Sequence, residues 1–276
     1  MPFKFINNQN FKAAELQKII PASELTNLVK GDLPVIVVRN FLRPEICDKI
    51  SENFDAFMNS RSQTDGVPGN YVGSYHYNKM LCDYFREVDQ SSESLASLFK
   101  NVENPIISLQ SKLKNIFSSQ EIKFRIAEHQ NKKAGNVVAR KWTDMGDYSL
   151  KPHDDFAQLN SPMQKGFEIQ KVQNFNVVGV NICINNAHKS GGDLIIWNCI
   201  ADDYEREILG IENSGYPYPL DYLERFDSIK IEVRKGDLYF LNSSLVHAVG
   251  SQPENVRLTI SFLMGKIDNN TIIYWT

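Results

Sequence analysis

Covalent staples are scarce in this 276-residue sequence: four cysteines, Cys47, Cys82, Cys183 and Cys199, lie far apart with no C-x-x-C spacing. Such a pattern supports neither a zinc knuckle nor a disulfide framework, and the four read as reduced core or surface thiols. Long runs of one charge are missing as well. Lys and Arg number 30 against 33 Asp and Glu, a formal net charge of −3, so neither a nucleic-acid backbone nor an anionic membrane is an expected partner. No segment approaches the run of about 20 apolar residues that a membrane span needs, and the beginning "MPFKFINNQNFKAAELQKII" has no continuous apolar stretch of the kind a leader peptide carries. A cytoplasmic protein with a small-molecule partner is expected. Internal repeats and low-complexity tracts are also lacking.

What is present is enough apolar material, 42% of residues, for one substantial core. A single domain over 1–276 is expected, with a helix-and-strand support in 1–120 and a β core from about 121 to 276. "DLPVIVVRNFL" holds a short β-branched run at Val35 to Val38, and "RPEICDKISENFDAFMNS" follows with Ile46, Ile50, Phe54 and Phe57 at helical spacing. "SRSQTDGVPGNYVGSYHYNK", Ser60 to Lys79, carries the Gly, Ser and Asn punctuation of a loop able to cover a site. "SESLASLFKNVENPIISLQSKLKNIFSS" reads as amphipathic helix interrupted near Pro105. From about Lys123 the pattern changes to short strands: "VVARKW", "NVVGVNICIN", "DLIIWN", "SIKIEV", "DLYFLN", "VRLTISFLMG" and "TIIYW". Together they predict a mainly β fold with flanking helices, its strands in an antiparallel sandwich or barrel.

Period-two alternation in "VRLTISF" puts Arg257, Thr259 and Ser261 on one face and Leu258, Ile260 and Phe262 on the other. If the apolar face meets the helices, a guanidinium and two hydroxyls point into the barrel. A buried Arg requires an anion, and the strand contains no carboxylate. Either that face is solvent-exposed or paired with a distant acid, or the anion is a ligand.

Histidine occurs only five times. In "SLKPHDDFAQ", His153 and Asp155 stand at i and i+2 after Pro152; in an extended segment both side chains point the same way and can reach one ion, with Asp154 turned from it. On its own an H-x-D pair is as compatible with an ordinary polar loop. A metal centre that activates oxygen needs a further ligand and open positions, and His247 in "LNSSLVHAVGSQ", ten residues before Arg257, is the best candidate. His76, His129 and His188 fall in loops and read as ordinary loop or surface histidines.

The order "KWTDMGDYSLKPHDD", "HKSGGDLIIWN", "IEVRKGDLYFLNSSLVHAV", "VRLTISFLMG" resembles the Fe(II)- and 2-oxoglutarate-dependent dioxygenases, whose core is a double-stranded β-helix (jelly roll, cupin-like). The resemblance covers about Arg140 to Gly265, and "PVIVVRNFLRPEICDKI" is similar to the strand and helix with which many members begin. Arg234 stands where a proline is common in the turn. The resemblance implies that His153, Asp155 and His247 are the metal ligands and that Arg257 grips the distal carboxylate of 2-oxoglutarate, aided by Thr259 or Ser261. It also implies Fe(II) and O2 as cofactor and co-substrate.

"SGGDLIIWN", "GYPYP" and "IIYW" are similar to a branch acting on free amino acids, in which carrier-independent radical halogenases occur beside hydroxylases of lysine-like substrates. Those halogenases carry a small residue in place of the carboxylate ligand, so Asp155 implies hydroxylation of an unactivated C–H in a small substrate, a free amino acid, with release of succinate and CO2; desaturation or ring closure can share the same ligands. Candidate contacts around the site are Tyr71, Tyr75, His76, Asn78, Trp142, Trp197 and the inward-facing Asn181. "DDYEREILG", Asp202 to Gly210, reads as a solvated helix. Hydroxylation of a protein side chain, as in prolyl hydroxylases, and a non-catalytic jelly-roll binding module are the competing readings.

Overall fold

The computed structural model of the chain describes residues 6–17, 19–57, 70–142, 146–173, 176–186, 191–252 and 257–276. Part of the expected covering loop, 60–69, and His188 lie outside the described residues. The strands are β1 (Ala13–Gln17), β2 (Val35–Arg39), β3 (Asn70–Gly73), β4 (Lys123–Ile126), β5 (Glu128–His129), β6 (Lys132–Lys133), β7 (Val138–Lys141), β8 (Tyr148–His153), β9 (Val177–Asn185), β10 (Leu194–Trp197), β11 (Ser228–Ile231), β12 (Leu238–Asn242), β13 (His247–Gly250), β14 (Leu258–Asp268) and β15 (Thr271–Trp275). Helices α1 (Ala22–Lys30), α2 (Pro44–Phe57), α3 (Leu81–Gln90), α4 (Ser92–Leu98) and α5 (Pro105–Ser118) precede most of the sheet; α6 (Asp203–Leu209) and α7 (Leu220–Leu223) lie between β10 and β11.

A nine-stranded sheet runs β1-β2-β12-β9-β14, then divides: the first half of β14 pairs with β7, which pairs with β3, and the second half with β15, which pairs with β4. Facing it is a four-stranded sheet in the order β11-β10-β13-β8. This is the jelly-roll architecture, two sheets closing on a shared interior. β1 and β2 are parallel neighbours, and β2 pairs antiparallel with β12, so the N-terminal segment is part of the large sheet. That position explains why Val35–Arg39 is buried along its whole length and reads as an unbroken apolar run rather than an alternating one.

Alternation sorts the side chains of the large sheet. Ile36 and Val38, Val180, Ile182 and Ile184, Phe240, Ile260 and Phe262 face outward into a core closed by Leu25 and Leu28 of α1, Ile50 and Phe54 of α2, and Leu109, Leu113 and Phe117 of α5. Val35, Val37, Cys183, Tyr239 and Leu241 face inward and meet Leu194, Ile196 and Ile231 of the small sheet. Pro105 opens α5 at its first turn, with the Asn104 side chain accepting from the Ile106 N–H; the interruption expected there is a helix start, where a missing N–H costs nothing. Among the described residues the four cysteines are unpaired, three buried and Cys82 exposed, and no helix is long and apolar enough to cross a membrane.

Adjacent residues of β14 test the assignment of faces. Ile260 is fully buried in the outer core, so Ile260→Ala costs about 2–5 kcal/mol, whereas Ser261→Ala next to it stays within about 0.5 kcal/mol. Urea unfolding of both variants measures the contrast, and equal costs would contradict the assignment.

Candidate metal centre and cavity

The last residue of β8 and the first of β13 are cross-strand partners: His153 pairs with His247 in the antiparallel register. Directly opposed residues of such a pair present their side chains on the same face, and the ring centroids stand 4.1 Å apart. After His153 the chain leaves the sheet. The Asp154 N–H donates to the Gly215 carbonyl (3.0 Å) and the Asp155 N–H to the Ser243 carbonyl (2.8 Å), which turns the Asp155 carboxylate back toward the imidazoles. Its oxygens lie 3.8 Å from His153 Nε2 and 3.9 Å from His247 Nε2, and one ligand atom from each of the three residues falls within 4.8 Å of the others.

These separations suit a shared cation rather than hydrogen bonds. Imidazole nitrogen and carboxylate oxygen bind a divalent ion at about 2.1 Å, so two ligands can stand as far as about 4.2 Å apart. Tautomers agree. Nδ1 of His153 donates to the Lys151 carbonyl and Nδ1 of His247 to the Leu245 carbonyl, each at 2.9 Å, which leaves both Nε2 lone pairs facing Asp155. Burial, with the neighbouring imidazole, pushes His153 down to about 4, and burial pushes His247 to about 4. Burial also raises the Asp155 carboxyl, against the pull of His153 and hydrogen bonds from Ser243 and Gln158; Gln158 Nε2 donates to Asp155 Oδ1 at 2.8 Å. Two neutral imidazoles and a buried carboxylate form the donor set of a facial triad.

Asp154 points the other way into a dense cage. Its carboxylate accepts from the Phe156 and Ala157 N–H groups (2.9 and 2.8 Å), Arg206 Nε and Nη2 (3.1 and 3.2 Å) and the Tyr218 hydroxyl (2.7 Å). Arg206 is fully buried. The helix expected to be solvated, α6, is therefore solvated only on the side of Tyr204 and Ile208; its other side anchors the loop that carries Asp155.

A cavity of about 360 Å³ opens from the triad, within the range of small-molecule sites. Ser261 and Asn181 line it from the large sheet, and Tyr75, His76 and Trp142 line it from the segments just past β3 and β7. Thr259 is occupied by the Trp142 indole N–H (3.0 Å). Arg257 is fully buried behind the lining: Nη2 donates to the Tyr239 hydroxyl (3.0 Å), which borders the cavity, Nη1 to the Gly192 carbonyl, and Nε has no partner. Gly191 and Gly192 have φ of 122° and 74°, and a Cβ at Gly191 would fall 2.0 Å from the Ser251 carbonyl oxygen, so side-chain-free residues bring this carbonyl to Arg257. Among the described residues no carboxylate pairs with the Arg257 guanidinium, which fits an anionic ligand taking that role.

Several expectations need correction. Trp197 packs with Cys199, Ala201 and Val246 away from the cavity. Asn78 borders a neighbouring depression instead, and Tyr71 binds the Glu87 carboxylate. His76, read both as an ordinary loop or surface histidine and as a candidate contact, is buried against the cavity, while His129 is half-buried on the Gly166 carbonyl. Arg140, Gln158, Tyr216 and Tyr239 also line the cavity and were missed; Tyr239 could have been found, since it shares the inward face of "DLYFLN" with Leu241.

Comparison with known proteins gives a consistent family. The model of the carrier-protein-independent halogenase WelO5 matches residues 8–276. An L-isoleucine 3(1)-dioxygenase of Pantoea ananatis is 34% identical over 247 residues, 87% of this chain and 82% of that protein. Among solved structures, an N-substituted L-amino acid dioxygenase from Burkholderia ambifaria superposes with a TM-score of 0.55 at 15% identity, covering 92% of this chain and 91% of that one. HygX from Streptomyces hygroscopicus, solved with nickel and 2-oxoglutarate, gives 0.51 at 11% identity, covering 90% and 87%. At such identities these two structures speak for the fold.

Three imidazoles, His76, His153 and His247, are held near 4 against an ordinary value of 6.5. The unfolded chain therefore binds more protons between those values, and stability of the metal-free protein falls as pH drops through that window; the raised Asp155 acts in the opposite sense, one group against three. Denaturant unfolding at pH 7 and pH 5 should show the lower midpoint at pH 5, and an equal or higher one would contradict the burial described.

Proposed function

The chain belongs to the family of the carrier-protein-independent halogenase WelO5, and from that premise we propose that His153, Asp155 and His247 hold its metal and that its substrate is a free amino acid bound in the adjoining cavity. The protein is an Fe(II)- and 2-oxoglutarate-dependent dioxygenase. Bound Fe(II), with 2-oxoglutarate and O2, supplies the oxidant that replaces a C–H hydrogen by hydroxyl as 2-oxoglutarate leaves as succinate and CO2.

The chain's own residues do the rest. The Lys151 and Leu245 carbonyls fix both imidazoles in the tautomer that offers Nε2, and Gln158 restrains Asp155. Arg257, with Tyr239 and Ser261 at the cavity wall, receives the distal carboxylate of 2-oxoglutarate; a planar guanidinium suits a carboxylate better than an ammonium does. Leu150, Leu194, Leu241 and Val249 make the lining between them apolar, which disfavours water beside the reacting carbon. Hydroxylation, rather than halogenation, follows from Asp155: its carboxylate fills the coordination position that halogenases of this family leave open with a small residue. The observation that carries the reading is the His153–Asp155–His247 cluster at the wall of one cavity, with the Arg257 guanidinium behind it meeting no carboxylate among the described residues. We also propose that the described elements form one domain, as the place of β1 and β2 in the large sheet supports, and that the protein works in the cytoplasm.

Succinate release from 2-oxoglutarate, screened over the free amino acids with L-isoleucine first, tests the reaction. Turnover above the substrate-free rate with at least one amino acid is expected, and none would refute it. Arg257→Leu should raise the KM for 2-oxoglutarate at least tenfold, the loss of a charge-assisted hydrogen bond of about 1.5–3 kcal/mol, while Fe(II) binding persists; an unchanged KM would place the anion subsite elsewhere.

A further inference from the structure

His76 stands just past β3, 2% exposed, at the cavity wall. Its tautomer is set from a distance. Gln164 Nε2 donates both hydrogens to backbone, to the His76 and Lys79 carbonyls at 2.8 Å each, so the Gln164 Oε1 that lies 3.2 Å from His76 Nδ1 is an acceptor. Nδ1 must carry the proton, and Nε2 is left as a bare lone pair. Burial pushes the ring down to about 4, so it is neutral near pH 7. Nε2 is buried and has no partner, a state that costs about 1–3 kcal/mol unless a ligand supplies a donor. The other polar end of the wall is a donor. Arg140 on β7 borders the same cavity, its guanidinium 4.3 Å from the Tyr75 ring centroid and 5.2 Å from that of Trp142, which fixes the plane of the fork. Apart from Asp155, no Asp or Glu lines the cavity among the described residues.

We propose that His76 and Arg140 recognise the two charged ends of the amino acid, His76 Nε2 accepting a hydrogen bond from the α-ammonium and Arg140 donating to the α-carboxylate. This rests on the amino-acid reading above and sharpens it. Arg257 serves the co-substrate and Arg140 the substrate, so the two carboxylates are told apart by place.

The test uses the Fe(II)-loaded enzyme with L-isoleucine, 3-methylpentanoate, which lacks the ammonium, and 2-methylbutylamine, which lacks the carboxylate. The wild type should lose about tenfold to a hundredfold in kcat/KM with each truncated compound, the span of one hydrogen bond to a charged group. His76→Phe should lower kcat/KM for L-isoleucine by a similar factor and leave that for 3-methylpentanoate nearly unchanged. Arg140→Met should do the same with respect to 2-methylbutylamine, and the KM for 2-oxoglutarate should stay within about twofold in both variants. If His76→Phe discriminates as the wild type does, His76 merely packs against Trp275, whose own indole N–H is unpartnered with ring centroids 6.5 Å apart, and the proposal is overturned. A KM for 2-oxoglutarate that rises in Arg140→Met overturns the division between the two guanidiniums. Should His76→Phe not fold, the ¹⁵N resonance of His76 Nε2 in the zinc-substituted wild type decides: it should move on adding L-isoleucine, and a fixed resonance counts against the proposal. A screen in which no free amino acid drives succinate release would remove the functional reading itself, whatever the variants do.

Discussion

Two imidazoles and a carboxylate share a buried point, and most of this molecule is arranged around keeping them there. Cross-strand pairing of His153 with His247 supplies the closeness, and the strand geometry that does so leaves no freedom to separate the rings without breaking the small sheet. Held this way and dry, neither ring takes a second proton near pH 7, and the carboxylate is disfavoured as an anion. A divalent cation relieves all three penalties together, because it takes up both lone pairs and compensates the charge.

The second constraint is the anchoring of the loop that bears Asp155. Asp154 collects five hydrogen bonds, two of them from a fully buried arginine on α6, and the neighbouring Tyr218 N–H donates to the Pro152 carbonyl (2.8 Å). Through this cage the segment that places Ser214 and Tyr216 on the cavity wall is tied to the same loop as the metal ligand. Wall and ligand thus move as one unit, the kind of support that a site needing sub-ångström placement requires. A buried ion pair of this sort is weak as a source of stability and better understood as fixing one arrangement.

Local signals carried much of this into the sequence. Alternation in "NVVGVNICIN" and "VRLTISF" predicted which side chains turn inward, and Ser261 and Asn181 do line the cavity; H-x-D with a distant His and Arg, together with the family resemblance, named the triad. The failures share a physical cause. Arg206 lies in a segment with a polar, helical pattern, and its contact with Asp154, 52 residues away, draws it into the core. The state of His76 is set by Gln164, 88 residues distant. Trp197 had no local mark to tell cavity from core, and the parallel pairing of β1 with β2 is likewise a tertiary choice that no short pattern specifies.

Anomalous diffraction at the iron edge, from crystals grown anaerobically with Fe(II) and 2-oxoglutarate, tests the central claim most directly. One peak per chain is expected, about 2.1 Å from His153 Nε2, His247 Nε2 and an Asp155 oxygen, with the dicarboxylate reaching toward Arg257. Iron bound at any other group of residues, or a peak that Asp155 does not touch, would contradict it.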